Sequence, residues 1–234
     1  MYIHITENCN MSCPHCCYAY GNGKSGEHME WKLFKKIIDT YSENIKRRGA
    51  FVTLGGGEPT LHPLFWKFVA YGTAHGTVWL ATNGSQTETA LTLCKLAKKG
   101  VLSVALSLDE YHDPIDERVI EAFSEGMKVH PGEGYTEQYP EKNCETDLRS
   151  IRSVEKPLYG GRAKTFDKDK LREGCPCNQT QIKVNGDIYP CGCEDAPNIG
   201  SIQEGITDKQ WKYYDIFLGC WKETNPMMRS KENV

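Results

Sequence analysis

Apolar positions recur along the first half of the chain in two alternating rhythms. Short apolar runs at residues 2–6, 51–54, 78–82 and 101–108 are bounded by glycine, asparagine or charge and read as strands. Between the first two, Trp31, Phe34, Ile38, Tyr41 and Ile45 recur at helical spacing within residues 29–48, and Gly49 stops the helix. Residues 63–71 form a second helix with Phe65, Phe68 and Val69 inside. Ser85 and Glu88 form a capping box for a third, which runs to Lys99 and is closed by Gly100. Asp116 caps a fourth helix carrying Val119, Ile120, Phe123 and Met127. A fifth strand is predicted over residues 148–154. Residues 130–147, rich in glycine, proline and charge, are predicted as a long loop.

Strand–helix repeats of this kind give a parallel sheet with right-handed crossovers. The run at 101–108 is nearly continuous in apolar residues, as a strand buried on both faces requires. Four repeats and one more strand are too few for a closed eight-stranded barrel. The expected fold class is therefore α/β: an incomplete parallel (β/α) barrel of about five to six strands, open at the side, over residues 1–164. Residues 165–234 read as a small cysteine-rich β-hairpin extension. In it Asn185-Gly186 marks a two-residue turn between residues 181–184 and 187–189. That turn would set Val184 opposite Asp187, Ile182 opposite Tyr189, Thr180 opposite Cys191 and Asn178 opposite Cys193.

Composition changes this picture at one point. Hydrophobic residues make up 39% and charged residues 25%, ordinary for a chain that builds a core, and the net charge of −3 creates no general pull toward nucleic acid or membrane. Lys46-Arg47-Arg48 reads as a solvated helix end. No apolar stretch approaches the ~20 residues that span a bilayer. The first strand follows Met1 directly, so neither a signal peptide nor a leader-binding domain is expected ahead of the barrel. A cytoplasmic location is expected. The informative feature is the eleven cysteines. In a reducing compartment, clustered cysteines point to metal or redox chemistry. All but Cys94 and Cys144 lie toward the two ends of the chain, which suggests two sites.

Cys9, Cys13 and Cys16 put three thiols within eight residues just past the first strand. A loop there opens at the carboxyl end of a parallel sheet, where such folds bind ligands. Three thiolates are one too few to close a four-cysteine cluster, so one iron would stay open to another molecule. On the thiols alone, zinc is the alternative, with Cys17 as a fourth ligand.

The Cys-x3-Cys-x2-Cys spacing resembles the signature of radical S-adenosylmethionine (SAM) enzymes. Gly56-Gly57-Glu58-Pro59 after the second strand resembles their GGEP motif. Thr82-Asn83-Gly84 after the third strand and Ser107-Leu108-Asp109 after the fourth extend the resemblance over about residues 2–128. It implies a [4Fe-4S] cluster on Cys9, Cys13 and Cys16, with SAM chelated to the open iron. One electron then breaks a sulfur–carbon bond, and the 5′-deoxyadenosyl radical takes hydrogen from a substrate. It further implies that Gly56 and Gly57 approach the methionyl amino group. Ser107 and Asp109 would bond the ribose or carboxylate, with Glu58, Thr82 and Asn83 completing the cofactor site. The residue before the third cysteine is usually aromatic; here it is His15, expected against the adenine. An external one-electron reductant of flavodoxin or ferredoxin type is implied as partner.

The second group resembles the twitch and SPASM extensions of the same superfamily. Cys175, Gly186 and Cys191 match their hairpin pattern, and Gly160-Gly161-Arg162-Ala163 and Asn198-Ile199-Gly200-Ser201 resemble its flanks. Such extensions hold an auxiliary [4Fe-4S] cluster. Cys175, Cys191 and Cys193 are the expected ligands, with Cys177 or Cys220 as the fourth; a structural zinc site is the alternative.

Other residues are weighed individually. Tyr111 and His112, past the fourth strand, are candidates to face substrate or donate a proton. Arg162 could bind a carboxylate of cofactor or substrate. Tyr18 and Tyr20 are expected to cover the cluster, Cys94 to fill the core, Cys144 to be a loop thiol and Cys17 to face away from the cluster. The expected reaction is hydrogen abstraction from a peptide or other bulky substrate. A small metabolite or a nucleotide or nucleic acid is the alternative, and a non-catalytic iron–sulfur or zinc electron-transfer protein is the alternative of another class.

Overall fold

The structure is a computed structural model that describes residues 1–21, 23, 25–140, 146–172, 179–193 and 196–209. The described elements run β1 (Tyr2–Thr6), α1 (Trp31–Arg48), β2 (Phe51–Gly56), α2 (Phe65–His75), β3 (Thr77–Thr82), α3 (Thr87–Lys98), β4 (Ser103–Ser107) and α4 (Glu117–Ser124). There follow β5 (Met127–Gly132), β6 (Tyr135–Pro140), β7 (Arg149–Val154), β8 (Gln181–Ile182), β9 (Asp187–Tyr189), β10 (Gly200–Ser201) and β11 (Gly205–Ile206). All strands share one sheet, ordered β11-β10-β9-β8-β1-β2-β3-β4-β7-β6-β5. From β8 through β7 every neighbouring pair is parallel. This is the incomplete barrel the strand–helix repeats predict, with β8 from the extension as its sixth parallel strand.

The alternation of side chains divides the parallel strands into two faces. Ile3, Ile5, Val52, Leu54, Val78, Leu80, Val104, Leu106 and Ile151 form one face, wholly buried. They share a core with Phe34, Ile38 and Ile45 of α1, Phe68 of α2, Leu93 of α3, and Val119 and Phe123 of α4. Phe34 and Phe68 stack with ring centroids 4.3 Å apart, fixing α1 against α2. On the other face, Tyr2, Gly55, Ala81, Ser107, Arg152 and Val154 all line an internal cavity.

The helix ends follow the sequence in part. Gly49 closes α1 in the left-handed region with φ +58°, and the Asp116 side chain accepts from Arg118 N–H to cap α4. The capping box at α3 does not form. The cap position falls on Gln86 with no side-chain hydrogen bond, and Ser85 instead reaches Asn10.

Three expectations are corrected. Residues 127–140 form a hairpin, with β6 pairing antiparallel to both β5 and β7, so that Met127 opens β5 rather than extending the fourth helix, which ends at Ser124, and residues 130–140 are strand and turn rather than part of a long loop. Its strand β5 is exposed along most of its length, so no apolar alternation announces it. The second hairpin is shifted by one residue: Ile182 pairs with Ile188 and Gln181 with Tyr189. Gly186 N–H donates to Lys183 O at 2.9 Å and Gly186 takes φ +91°, which makes Val184-Asn185-Gly186 a three-residue turn. The expected partner Asn178 lies outside the described residues.

Candidate functional site

The loop carrying Cys9, Cys13 and Cys16 leaves β1 at Thr6 and is held by the end of β2. Gly57 N–H donates to Thr6 O and Glu58 N–H to Asn8 O, each at 2.8 Å. Only glycine permits this approach. A Cβ on Gly57 would lie 2.1 Å from Asn8 O, and one on Gly56, at φ +120°, 2.0 Å from Thr6 O. Arg162 grips the loop from the other side. Its Nε donates to Cys13 O at 2.9 Å, its Nη1 to Tyr20 O at 2.8 Å, and its backbone N–H to Cys16 O at 3.0 Å. So anchored, the three cysteines are free thiols on the wall of one cavity of about 310 Å³. Burial, with Glu58 and the two other thiols adding, pushes the Cys9 thiol up to about 11.

Glu58 is buried beneath that cavity and ties two strand ends together. Its Oε1 accepts from Thr60 N–H at 3.2 Å, the Thr60 hydroxyl at 2.6 Å and the Thr82 hydroxyl at 2.8 Å. Its Oε2 accepts from Asn83 N–H at 2.7 Å. Burial raises its pKa against these bonds. The Asn83 side chain then donates to Asn10 Oδ1 at 3.1 Å, inside the cysteine loop. Asn10 is a link the sequence reading missed; its place between the first two cysteines was the available signal.

The end of β4 supplies a charged pair. Asp109, almost fully buried, bonds His112 Nδ1 at 2.7 Å and accepts from the N–H groups of Tyr111 and Val154. Burial alone would lower the pKa of His112, but the hydrogen bond to Asp109 and the neighbouring Cys13 lift it to about 10. His15 Nε2 lies 3.9 Å from Asp109, and its ring packs 4.9 Å from that of Tyr111 and 5.0 Å from that of His112. Burial, opposed by Asp109 and helped by His112 and Arg162, drops His15 to about 4, so the ring is neutral near pH 7. His15 Nδ1 is buried with no hydrogen-bond partner.

Residues 3–126 match the family model described as the Radical SAM superfamily. The chain belongs to the radical SAM superfamily. It is 34% identical over 126 residues to the mycofactocin maturase MftC of Mycobacterium ulcerans, covering 53% of this chain and 33% of that protein. The matched region thus spans about a third of the length of that relative. Among solved structures it resembles BtrN in complex with AdoMet and 2-DOIA, at TM-score 0.59 and 17% identity over 99% of this chain and 87% of that one. It also resembles anSMEcpe with bound AdoMet and the Cp18Cys peptide, at TM-score 0.52 and 16% identity over 90% and 79%. At these identities the structural likenesses speak to the fold. Membership of that superfamily implies a [4Fe-4S] cluster and SAM as cofactors.

The residues fit such a group. Three free thiols face one cavity, and an unpartnered His15 Nδ1 lies buried at its wall. Among the described residues, the donors that converge within 4.8 Å of one another are those of His15, Asp109 and His112, so the three sulfurs do not gather on a single ion as in a closed zinc site.

Not every expected site residue faces the cavity. His15, Gly57, Glu58, Thr82, Asn83, Ser107 and His112 line it. Gly56 lies behind it, its N–H donating to the Tyr2 hydroxyl at 3.0 Å. Asp109 acts through His112, Tyr111 covers His15, and Arg162 is occupied by loop carbonyls. Cys17, expected to face away, lines the cavity beside Cys16. Cys94 is buried in the core as expected. Tyr18 and Tyr20 stack on each other beside His4. In the extension Cys191 is buried and Cys193 N–H points at its sulfur, 3.4 Å away. Cys144, Cys175, Cys177 and Cys220 lie outside the described residues.

Proposed function

We propose that Cys9, Cys13 and Cys16 hold a [4Fe-4S] cluster with one open iron, and that the chain uses SAM there to abstract hydrogen from a peptide or other bulky substrate. The supporting observation is that the three thiols share one cavity with the ends of three strands, at Gly57, Asn83 and Ser107. When bound, the reduced cluster and SAM supply a 5′-deoxyadenosyl radical and methionine.

The chain's own residues prepare that chemistry. Gly57 and Arg162 fix the cysteine loop from opposite sides. Asn83 and Ser107 offer polar groups beside the thiols, for the methionyl and ribose ends of SAM. His15 offers a neutral ring and an unpartnered nitrogen for the adenine. His112, oriented through Nδ1 by Asp109, lines the cavity beside Cys13.

For the substrate, a bulky chain is favoured by the peptide in the anSMEcpe complex and by the maturase relative. A small metabolite is favoured by BtrN, bound to 2-DOIA, whose chain matches this one over nearly its whole length. Residues 165–234 are proposed as the second unit, with Cys191 and Cys193 joined by cysteines among Cys175, Cys177 and Cys220 around an auxiliary cluster. A one-electron reductant of flavodoxin or ferredoxin type completes the reaction. No helix among the described residues is long and apolar enough to cross a membrane.

The test is anaerobic reconstitution followed by iron and sulfide analysis and assay of 5′-deoxyadenosine and methionine under a reductant. Two clusters would give about eight irons per chain, and one cluster with a zinc site about four irons and one zinc. A Cys9→Ala, Cys13→Ala, Cys16→Ala variant should lose about four irons and all SAM cleavage. Unchanged iron in that variant would overturn the assignment.

A further inference from the structure

The same cavity also carries a cationic wall. Arg152 on β7, Lys156 just past that strand, and Arg172 all line it. The β5–β6 turn holds the last two together. A Cβ on Gly134 would lie 2.9 Å from Lys156 Cβ and 3.5 Å from Arg172 Cδ, so both stems flank the same glycine. Gly134 O accepts from Lys156 N–H at 2.9 Å, and Arg172 N–H donates to Pro157 O at 2.9 Å. The Arg172 guanidinium lies 5.0 Å above the Tyr135 ring, a neighbour on the same wall.

Charge balance at this wall is one-sided. Arg152 pairs with Glu137 at 2.8 Å. Among the described residues no carboxylate pairs with Lys156 or Arg172. Among the described residues, the one carboxylate lining the cavity, Glu58, is buried with both oxygens occupied. Among the described residues, two cations therefore face this cavity without an ion-paired carboxylate, although Glu133 and Asp169 line an adjoining pocket that both cations share. One of them is a planar fork suited to an oxyanion and already oriented by an aromatic face.

We propose that Lys156 and Arg172 bind an oxyanion of the substrate, a carboxylate or a phosphate, and so orient the rest of it toward the cysteines. Arg152 sits at the rim and adds to the field. This deepens the proposed function and rests on it, because the ligand at this wall is taken as the reaction's substrate.

The test uses the cluster-reconstituted full chain with K156Q, R172Q and the double variant. Calorimetry follows binding of glutarate, of pyrophosphate and, separately, of SAM. Wild type is expected to bind at least one anion saturably, each single substitution to weaken it about tenfold, and SAM affinity to stay within about twofold. Glutarate binding alone assigns a carboxylate, and pyrophosphate binding alone a phosphate. Absence of binding to both, or equal binding by the double variant, overturns the proposal. A parallel loss of SAM affinity also overturns it, since the cations would then serve the cofactor. Anion binding that depends on Lys156 and Arg172 supports the wall even where no 5′-deoxyadenosine is made, an outcome that removes the reaction and not the anion site.

Discussion

The Glu58 carboxylate accepts the backbone N–H of Asn83 at 2.7 Å, joining the end of β2 to the end of β3 directly beneath the cysteine loop. Its other oxygen accepts the backbone N–H of Thr60 at 3.2 Å. Glu58→Gln keeps the shape but must turn its amide nitrogen toward one of these two N–H groups. One buried donor then lacks an acceptor, at a cost of about 1–3 kcal/mol. Denaturant unfolding of wild type and variant measures it. A difference below about 0.5 kcal/mol would mean that Glu58 does not hold these strand ends.

Arg162 bonds two carbonyls of the cysteine loop, Cys13 O and Tyr20 O. Arg162→Met removes both charged donors, each worth about 1.5–3 kcal/mol. The loop should open more readily, and iron should be lost to an external chelator about tenfold faster or more. Iron release at the wild-type rate would show that the loop keeps its form without this side chain.

The barrel was legible because its strands carry an apolar face of period two and its helices one of period 3.6, and both faces are buried where they were read. The hairpin at residues 127–140 was not, because β5 owes its conformation to pairing with β6 and buries almost nothing. The second hairpin's register slipped because Asn-Gly also suits a three-residue turn with glycine at positive φ. At the site, the strand-end motifs pointed to the right loops but not to each side chain's task. Glu58 and Arg162 read as ligand-binding groups, and both are occupied by protein partners. Lys156 and Arg172 carried no local signal, since the bridge between Leu158 and Arg172 is what brings Arg172 to the wall.

His4 is fully buried between Gln181 and Tyr20. Burial, with the Lys183 charge assisting and the Gln181 hydrogen bond opposing, depresses it from 6.5 to about 3. Above pH 6.5 neither folded nor unfolded chain protonates this ring, and it adds no pH dependence. Below pH 6.5 the unfolded chain binds the proton first, so stability falls as pH falls, by about 1.4 kcal/mol per unit, until the folded value is reached. His4→Gln should lose this component between pH 6.5 and 5 while starting from a lower stability. Denaturant midpoints across that interval decide it: parallel slopes for the two proteins would place the titration elsewhere.

Gly57 offers the most direct check on how the cysteine loop is seated. A methyl group there would meet Asn8 O at 2.1 Å and Glu7 O at 2.9 Å, both backbone atoms of the segment that leads into Cys9. No side chain can rotate away to make room, so Gly57→Ala must push the loop off β2 and break the Gly57–Thr6 and Glu58–Asn8 hydrogen bonds. Overpacking of this kind costs about 1–3 kcal/mol, and most of it falls on the loop because the strands beneath are fixed by the core. Gly132→Ala is the control, since the atoms nearest its methyl group would be those of the Tyr135 ring, a side chain that can turn. Circular dichroism should show both variants folded. Iron bound after reconstitution should fall to less than about half in Gly57→Ala and stay near wild type in Gly132→Ala. Equal iron in the two would mean that the cysteines reach their positions without the close contact between Gly57 and Asn8.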